Sequence, residues 1–166
     1  MTSLDNLQTA FAGESQANRK YLAFADQAEK DGLPQTAKLF RAAVEAETVH
    51  ALAHLRAMGG LKTTAENLQA AIGGEAYEFQ KMYPPFVQQA RQEANQAALT
   101  SFKNALAVEE IHHRLYSQAS QAVKAGKDFP PTKVFVCRVC GNTVCGGAPD
   151  KCPVCGSARE KFREVF

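Results

Sequence analysis

Seven side chains in this 166-residue sequence have the types and spacing to hold metal ions within helices: Glu14, Glu47, His50, Glu75, Glu78, Glu109 and His112. Glu47 and His50 form one Glu-x-x-His and Glu109 and His112 form a second, and residues three apart share one face of a helix. Acidic groups stand here where an amphipathic helix should be apolar. A lone buried carboxylate is too costly to keep ionised, so several that converge require cations between them. A di-metal carboxylate centre in a four-helix bundle takes one glutamate from each of two helices and a Glu-x-x-His from each of the other two, and Glu14, Glu75 and the two pairs fill that pattern. Five glutamates against two ferrous ions leave such a site near neutral. Oxygen donors with one imidazole per metal favour iron or manganese over a closed zinc site.

The spacing repeats. Glu47 follows Glu14 by 33 positions and Glu109 follows Glu75 by 34, as for two helical hairpins paired about a pseudo-two-fold axis. A single Glu-x-x-His is common on solvated helix faces and would say little alone. Glu78 breaks the repeat, because Ala17 stands in the matching place after Glu14. By spacing it is either a solvated carboxylate or an added ligand. Glu45 and Glu110 lie on neighbouring arcs and read as solvated, and His54, one turn past His50, reads as a surface or core histidine or as a group behind the ligands. His113 is about 100° around the helix from His112, so both cannot aim at one metal pair. A register using Glu110 and His113 keeps the spacing, but the apolar stripe through Leu106 and the repeat distance favour Glu109 and His112.

The second group is cysteine. All five cysteines fall between Cys137 and Cys155, four of them as Cys137-Arg-Val-Cys140-Gly141 and Cys152-Pro-Val-Cys155-Gly156. Each loop can wrap its N–H groups toward sulfur, and the glycine after the second cysteine permits the positive φ that the turn wants. The spacing implies one metal in four thiolates and leaves a structural zinc ribbon and a single electron-carrying iron both open. From Lys133 onward six basic residues stand against three acidic ones, which suits either metal. Cys145 is left over and reads as a bystander.

Helices must position the first group. Apolar positions at helical spacing predict a helix from Ser3 to Lys30, stopped by Gly32. Pro34 opens a second that Gly59 and Gly60 close. Thr63 and Glu66 have the form of a capping box, predicting a third helix from near Thr64. Gly73 and Gly74 weaken it and suggest close packing beside a site, and Pro84 and Pro85 predict a kink after Tyr83. A break at Glu93 to Asn95 precedes a fourth helix running toward Ala125. The expected organisation is an all-α four-helix bundle over residues 1–128, a linker at 129–133 and a small metal-knuckle β domain at 134–166, which is short enough to need its metal to fold.

Composition bounds the partners. A net charge of +2, no tryptophan and no single-sign block give no case for nucleic acid or a membrane surface. Met1 to Ala10 reads as polar helix rather than a secretory signal, and clustered Cys-x-x-Cys pairs suit a reducing compartment, so a cytoplasmic location is expected.

Together the two halves resemble rubrerythrin over nearly the whole chain: Gly13-Glu14-Ser15-Gln16-Ala17, Glu47-Thr48-Val49-His50, Glu75-Ala76-Tyr77-Glu78 with Met82-Tyr83-Pro84, Glu109-Glu110-Ile111-His112, and a rubredoxin-like tail. The resemblance implies a ferritin-like bundle with Glu14, Glu47, His50, Glu75, Glu78, Glu109 and His112 as di-iron ligands, Glu47 and Glu109 bridging. Tyr21 and Tyr83 would hydrogen-bond to ligand carboxylates. Cys137, Cys140, Cys152 and Cys155 would hold a third iron. It further implies a peroxidase that reduces hydrogen peroxide to water with electrons passed through the Fe(Cys)4 site from a donor protein or reductase, one iron exchanging His50 for Glu78 with redox state, in a homodimer that is head-to-tail or helix-swapped. Cys145 and the knuckle valines Val139 and Val154 depart from the expected pattern. The competing readings are a ferroxidase or iron-handling protein, against which the electron-transfer tail argues, and a zinc-ribbon interaction module on a helical scaffold.

Overall fold

The computed structural model describes Met1–Phe166 throughout. It is mostly helical with a small antiparallel knuckle at the C-terminal end, and its contacts divide it into two compact units, Met1–Lys62 and Thr63–Phe166. No helix is long and apolar enough to cross a membrane.

The first unit is a helical hairpin of α1 (Ser3–Lys30) and α2 (Pro34–Ala57). Thr2 and Asp5 form a capping box on α1, satisfying two N–H groups that the first turn leaves without partners. Gly32, at φ +74°, turns the chain, and Pro34 enters α2 in its first turn, where its missing N–H costs nothing. The seam is made of small residues: Ala25, Ala28, Ala37, Val44 and Ala51 are all buried. Small side chains bring the backbones close enough for Asn18, itself buried, to donate from Nδ2 to both the Val44 carbonyl and Thr48 Oγ1 at 2.8 Å. That tie holds α1 and α2 together one turn from Glu14 and beside Glu47.

In the second unit α3 (Thr64–Tyr77) starts at a Thr63–Glu66 capping box and runs into a π-helical turn at Glu78–Met82, followed by α4 (Tyr83–Gln92) and α5 (Gln96–Lys124). The irregularity expected after Tyr83 lies before it. Pro84 and Pro85 lack N–H groups and their rings would press on carbonyls four residues back, and the wider turn, closed by Tyr83 N–H donating to the Glu78 carbonyl, relieves this without ending the helix. Gly73 and Gly74 do not mark a close approach within the chain, because a Cβ on either would meet nothing within 4 Å. Ala94, at φ +53°, breaks the chain, and Asn95 caps α5 by accepting from the Ala98 N–H. α5 packs against both α3 and α4, and Gln69 Nε2 donates to the buried Ser120 hydroxyl across the first of these seams.

The knuckle comprises β1 (Val134–Cys137), β2 (Thr143–Cys145) and β3 (Phe162–Val165) in the order β2-β1-β3, all antiparallel. The pairing places Cys137 at the end of β1 opposite Phe162, and Lys151 and Ala158 form a further bridge that closes the second loop.

Candidate metal centre

In the first unit the hairpin puts Glu14, Glu47 and His50 together, with one ligand atom from each within 4.8 Å of the others. His50 Nδ1 lies 2.9 Å from Glu47 Oε2 and 3.9 Å from Glu14 Oε1. In the second unit Glu75, Glu109 and His112 make the same trio, with His112 Nδ1 2.8 Å from Glu109 Oε2 and 3.8 Å from Glu75 Oε1. The repeat in the sequence is therefore a repeat of geometry, with the same ring nitrogen facing the carboxylates each time. No lysine or arginine is ion-paired with any of these four glutamates. Two carboxylates and one imidazole in each trio are donors that fit iron.

The electrostatics of the second trio agree. Burial first, and then the negative Glu109, push the Glu75 carboxyl up to about 7. Glu78, in the π turn, is raised by burial and by Glu109, with His112 opposing; it lies near this trio but outside its tightest grouping. Tyr83 is held above its ordinary range by burial and by Glu78, Glu109 and Glu75. Neither Tyr83 nor Tyr21 makes a hydrogen bond to a carboxylate here. Tyr21 packs with Phe24 and Phe40, and Tyr83 with Phe86 and Phe102. Glu45 and Glu110 are exposed, His113 stacks edge-on against Phe79, and His54 joins neither trio.

A pH dependence follows for the metal-free chain. Glu75 binds its proton more tightly folded than unfolded, so its contribution to stability is complete below the ordinary carboxylate pKa and is lost as pH rises through about 7. Thermal unfolding of chelated protein is expected at lower temperature at pH 8 than at pH 5.5, with Glu75→Gln removing part of the difference. No flattening in that variant would contradict it.

The four cysteines of the two loops also converge. Cys137 and Cys155 sulfurs are 3.7 Å apart and those of Cys140 and Cys152 are 3.6 Å apart, near the ~3.8 Å edge of a tetrahedron with metal–sulfur bonds of about 2.3 Å and far from a disulfide. Gly141 (φ +84°) and Gly156 (φ +75°) make the left-handed turns. Asn142, almost fully buried, donates from Nδ2 toward Cys152 Sγ, and Ser157 Oγ lies 3.2 Å from Cys155 Sγ. Burial raises the Cys140 thiol well above its ordinary value; at Cys155 burial acts the same way but is outweighed by hydrogen bonds from Ser157 and the neighbouring thiols, which bring it to about 6. Cys145, exposed on β2, lies outside the group. Sequence reasoning did not single out Asn142, Ser157 or Thr143. Thr143 Oγ1 stands 2.9 Å from His112 Nε2, and nothing local in a Cys-Gly-Asn-Thr run signals a contact 31 positions away.

Two Glu/Glu/His trios on helical hairpins and one four-thiolate knuckle give the chain places for three metal ions, the donor complement of a ferritin-like di-iron protein with an attached rubredoxin-like domain. Comparison with known proteins names the family. Residues 5–120 match the Rubrerythrin family and residues 135–163 the family described as Rubrerythrin, rubredoxin-like domain, so the chain belongs to the rubrerythrin family. It is 34% identical over 173 residues to Rubrerythrin-2 of Clostridium acetobutylicum, covering 96% of this chain and 94% of that protein. It is 34% identical over 175 residues to Nigerythrin of Nitratidesulfovibrio vulgaris, covering 97% and 85%. Among solved structures, fully reduced, all-ferrous nigerythrin covers 99% of this chain and 87% of its own, with a TM-score of 0.57 at 31% identity.

Proposed function

We propose that the chain is a non-haem di-iron peroxidase that reduces hydrogen peroxide to water, with Glu14, Glu47, His50, Glu75, Glu78, Glu109 and His112 holding two irons and Cys137, Cys140, Cys152 and Cys155 a third. When bound, the iron pair supplies the two electrons that cleave the O–O bond, giving two waters once two protons are added. The chain's residues do the rest. The carboxylates balance the metal charge, and Tyr83, kept protonated by burial and three neighbouring carboxylates, holds a proton beside the site. The knuckle cysteines would hold the iron that takes electrons one at a time from a donor protein or reductase. On this reading residues 1–128 are the bundle domain and 134–166 the electron-receiving domain, joined at 129–133.

The observation that carries the reductive reading over iron storage is that β2 of the knuckle packs on α5 at the level of His112. A storage protein needs no reductant feed during oxidation.

The connection between α2 and α3 supports a helix-swapped homodimer. A ferritin-like bundle joins its two hairpins by a long crossover running back along the bundle. Here only Met58–Thr63 intervene, which reach about 25 Å fully extended. The 24 residues of α2 span about 36 Å. One chain cannot make that crossover, whereas the α1/α2 hairpin of one copy can complete the α3–α5 unit of another.

The test is stopped-flow mixing of anaerobically reduced, iron-loaded protein with peroxide, following the Fe(Cys)4 absorption. Reoxidation much faster by peroxide than by dissolved oxygen, slowed about tenfold or more in Glu78→Ala, is expected. A colourless tail, or no preference for peroxide, would move the assignment to a zinc ribbon or to iron handling.

A further inference from the structure

Thr143, on β2, sits between the knuckle and the second Glu/Glu/His trio. Its hydroxyl oxygen is 2.9 Å from His112 Nε2 and 3.2 Å from the Gly141 carbonyl oxygen. A carbonyl only accepts, so the hydroxyl proton is committed to Gly141, and the hydroxyl oxygen is left to accept from His112. Nε2 therefore carries a proton. Nδ1, which faces Glu109 and Glu75, is then the nitrogen whose lone pair is free for a metal.

We propose that Thr143 is a positioning residue for the metal trio on α3 and α5, fixing the tautomer and ring orientation of His112 and tying the first cysteine knuckle to that trio within one chain. The inference rests on reading Glu75, Glu109 and His112 as ligands. A metal-ligating histidine that donates its other N–H to an oxygen is held in one orientation and is the stronger ligand for it. What is unusual here is where the oxygen comes from. It belongs to the metal-binding tail and not to the helices that carry the ligands.

A second contact holds the same place. Gly141 follows the thiolate residue Cys140, and a Cβ on it would lie 3.7 Å from Cγ1 of Val108, which is 2% exposed and adjoins Glu109. The knuckle backbone thus covers α5 beside the trio, and a continuous bonded line runs from Cys140 through the Gly141 carbonyl and the Thr143 hydroxyl to the His112 ring. The first trio is built differently. Its His50 ring faces Glu47 and Glu14 through Nδ1, its side chain is 55% exposed, and no side chain of the chain takes its Nε2. The two trios are alike toward the metal and unlike behind it.

The experiment uses the full chain loaded with zinc at all sites, comparing Thr143→Val, which keeps shape and β-branching without the hydroxyl, with Thr143→Ser, which restores it. Long-range proton–nitrogen NMR of the histidine rings should show, in the unaltered chain, His112 with metal on Nδ1 and a slowly exchanging Nε2 proton. Thr143→Val should lose that slow exchange and weaken chelator-competed zinc binding at the helical site about tenfold, Thr143→Ser should recover both, and the His50 ring should not respond in either. Zinc on His112 Nδ1 with an unchanged Nε2 proton and affinity in Thr143→Val would overturn the positioning role while leaving the metal trio intact. A His112 ring free of zinc in every variant would overturn the ligand reading and the positioning role with it.

Discussion

Removing the metal from the four-cysteine site is expected to unfold residues 134–166 while the helices persist. The tail has almost nothing else to fold with. Its buried residues are Cys137, Asn142, Ala148 and Cys152, that is, two ligand thiols, one amide and one methyl group, and no large apolar side chain is fully enclosed. Its strands are four, three and four residues long. A unit of this length lies below the ~40 residues at which a core alone sustains a fold. Four thiolates on one metal contribute on the order of 10 kcal/mol or more, enough by themselves to close both loops. With the metal gone, burial disfavours thiolate at Cys140, and four thiols within 4.8 Å of one another have only weak sulfur hydrogen bonds to hold them together. Under reducing conditions with a strong chelator, amide NMR dispersion of residues 134–166 should collapse and return on adding zinc or ferrous iron, while helical circular dichroism changes little. Dispersion that survives chelation would show a fold independent of the metal. Loss of the tail should also free the His112 ring, because Thr143 leaves with it.

Much of this was readable from residues, and the remainder follows a physical pattern. Helix ends were legible where a side chain acts within its own turn: Thr63 with Glu66, Pro34 at an N-terminus and Gly59 at a C-terminus all stand where their local chemistry puts them. The convergence of Glu47 with His50 and of Glu109 with His112 was legible because three residues apart is a face of a helix. The π turn at Glu78–Met82 was not, since a hydrogen bond to the fifth residue has no residue type of its own, and only the proline pair hinted at irregularity nearby. Gly73 and Gly74 misled for the converse reason: a glycine permits close approach, and nothing in the sequence says whether a neighbour arrives. Thr143 escaped because its partner is distant in sequence and its role depends on where the knuckle docks. Local rules reach as far as one element, and the two Glu-x-x-His pairs, one on α2 and one on α5, are the part of the site that lies within that reach.

If the proposed peroxidase function holds, co-expression of two inactive chains, one with Glu47→Ala and the other with Glu109→Ala, is expected to restore about a quarter of the activity of the unaltered protein. Each substitution removes a carboxylate that lies within 3 Å of its histidine, and alone each should lower turnover at least about 100-fold. If the hairpins exchange, each centre draws Glu14, Glu47 and His50 from one chain and Glu75, Glu109 and His112 from the other. A mixed dimer then has one centre carrying both lesions and one carrying neither. Mixed dimers are about half of a random population, and half their centres are whole, which gives the quarter. If each centre were built from a single chain, every centre in every dimer would carry one lesion and activity would stay at the level of the single variants. That outcome would require Met58–Thr63 to connect an up-and-down bundle with adjacent antiparallel helices, abandoning the ferritin-like crossover. Lengthening that connection with a flexible insert of about a dozen residues should then matter in one case only: where exchange is imposed by a link too short to cross the bundle, the insert lets each chain close on itself, and the rescued quarter should disappear.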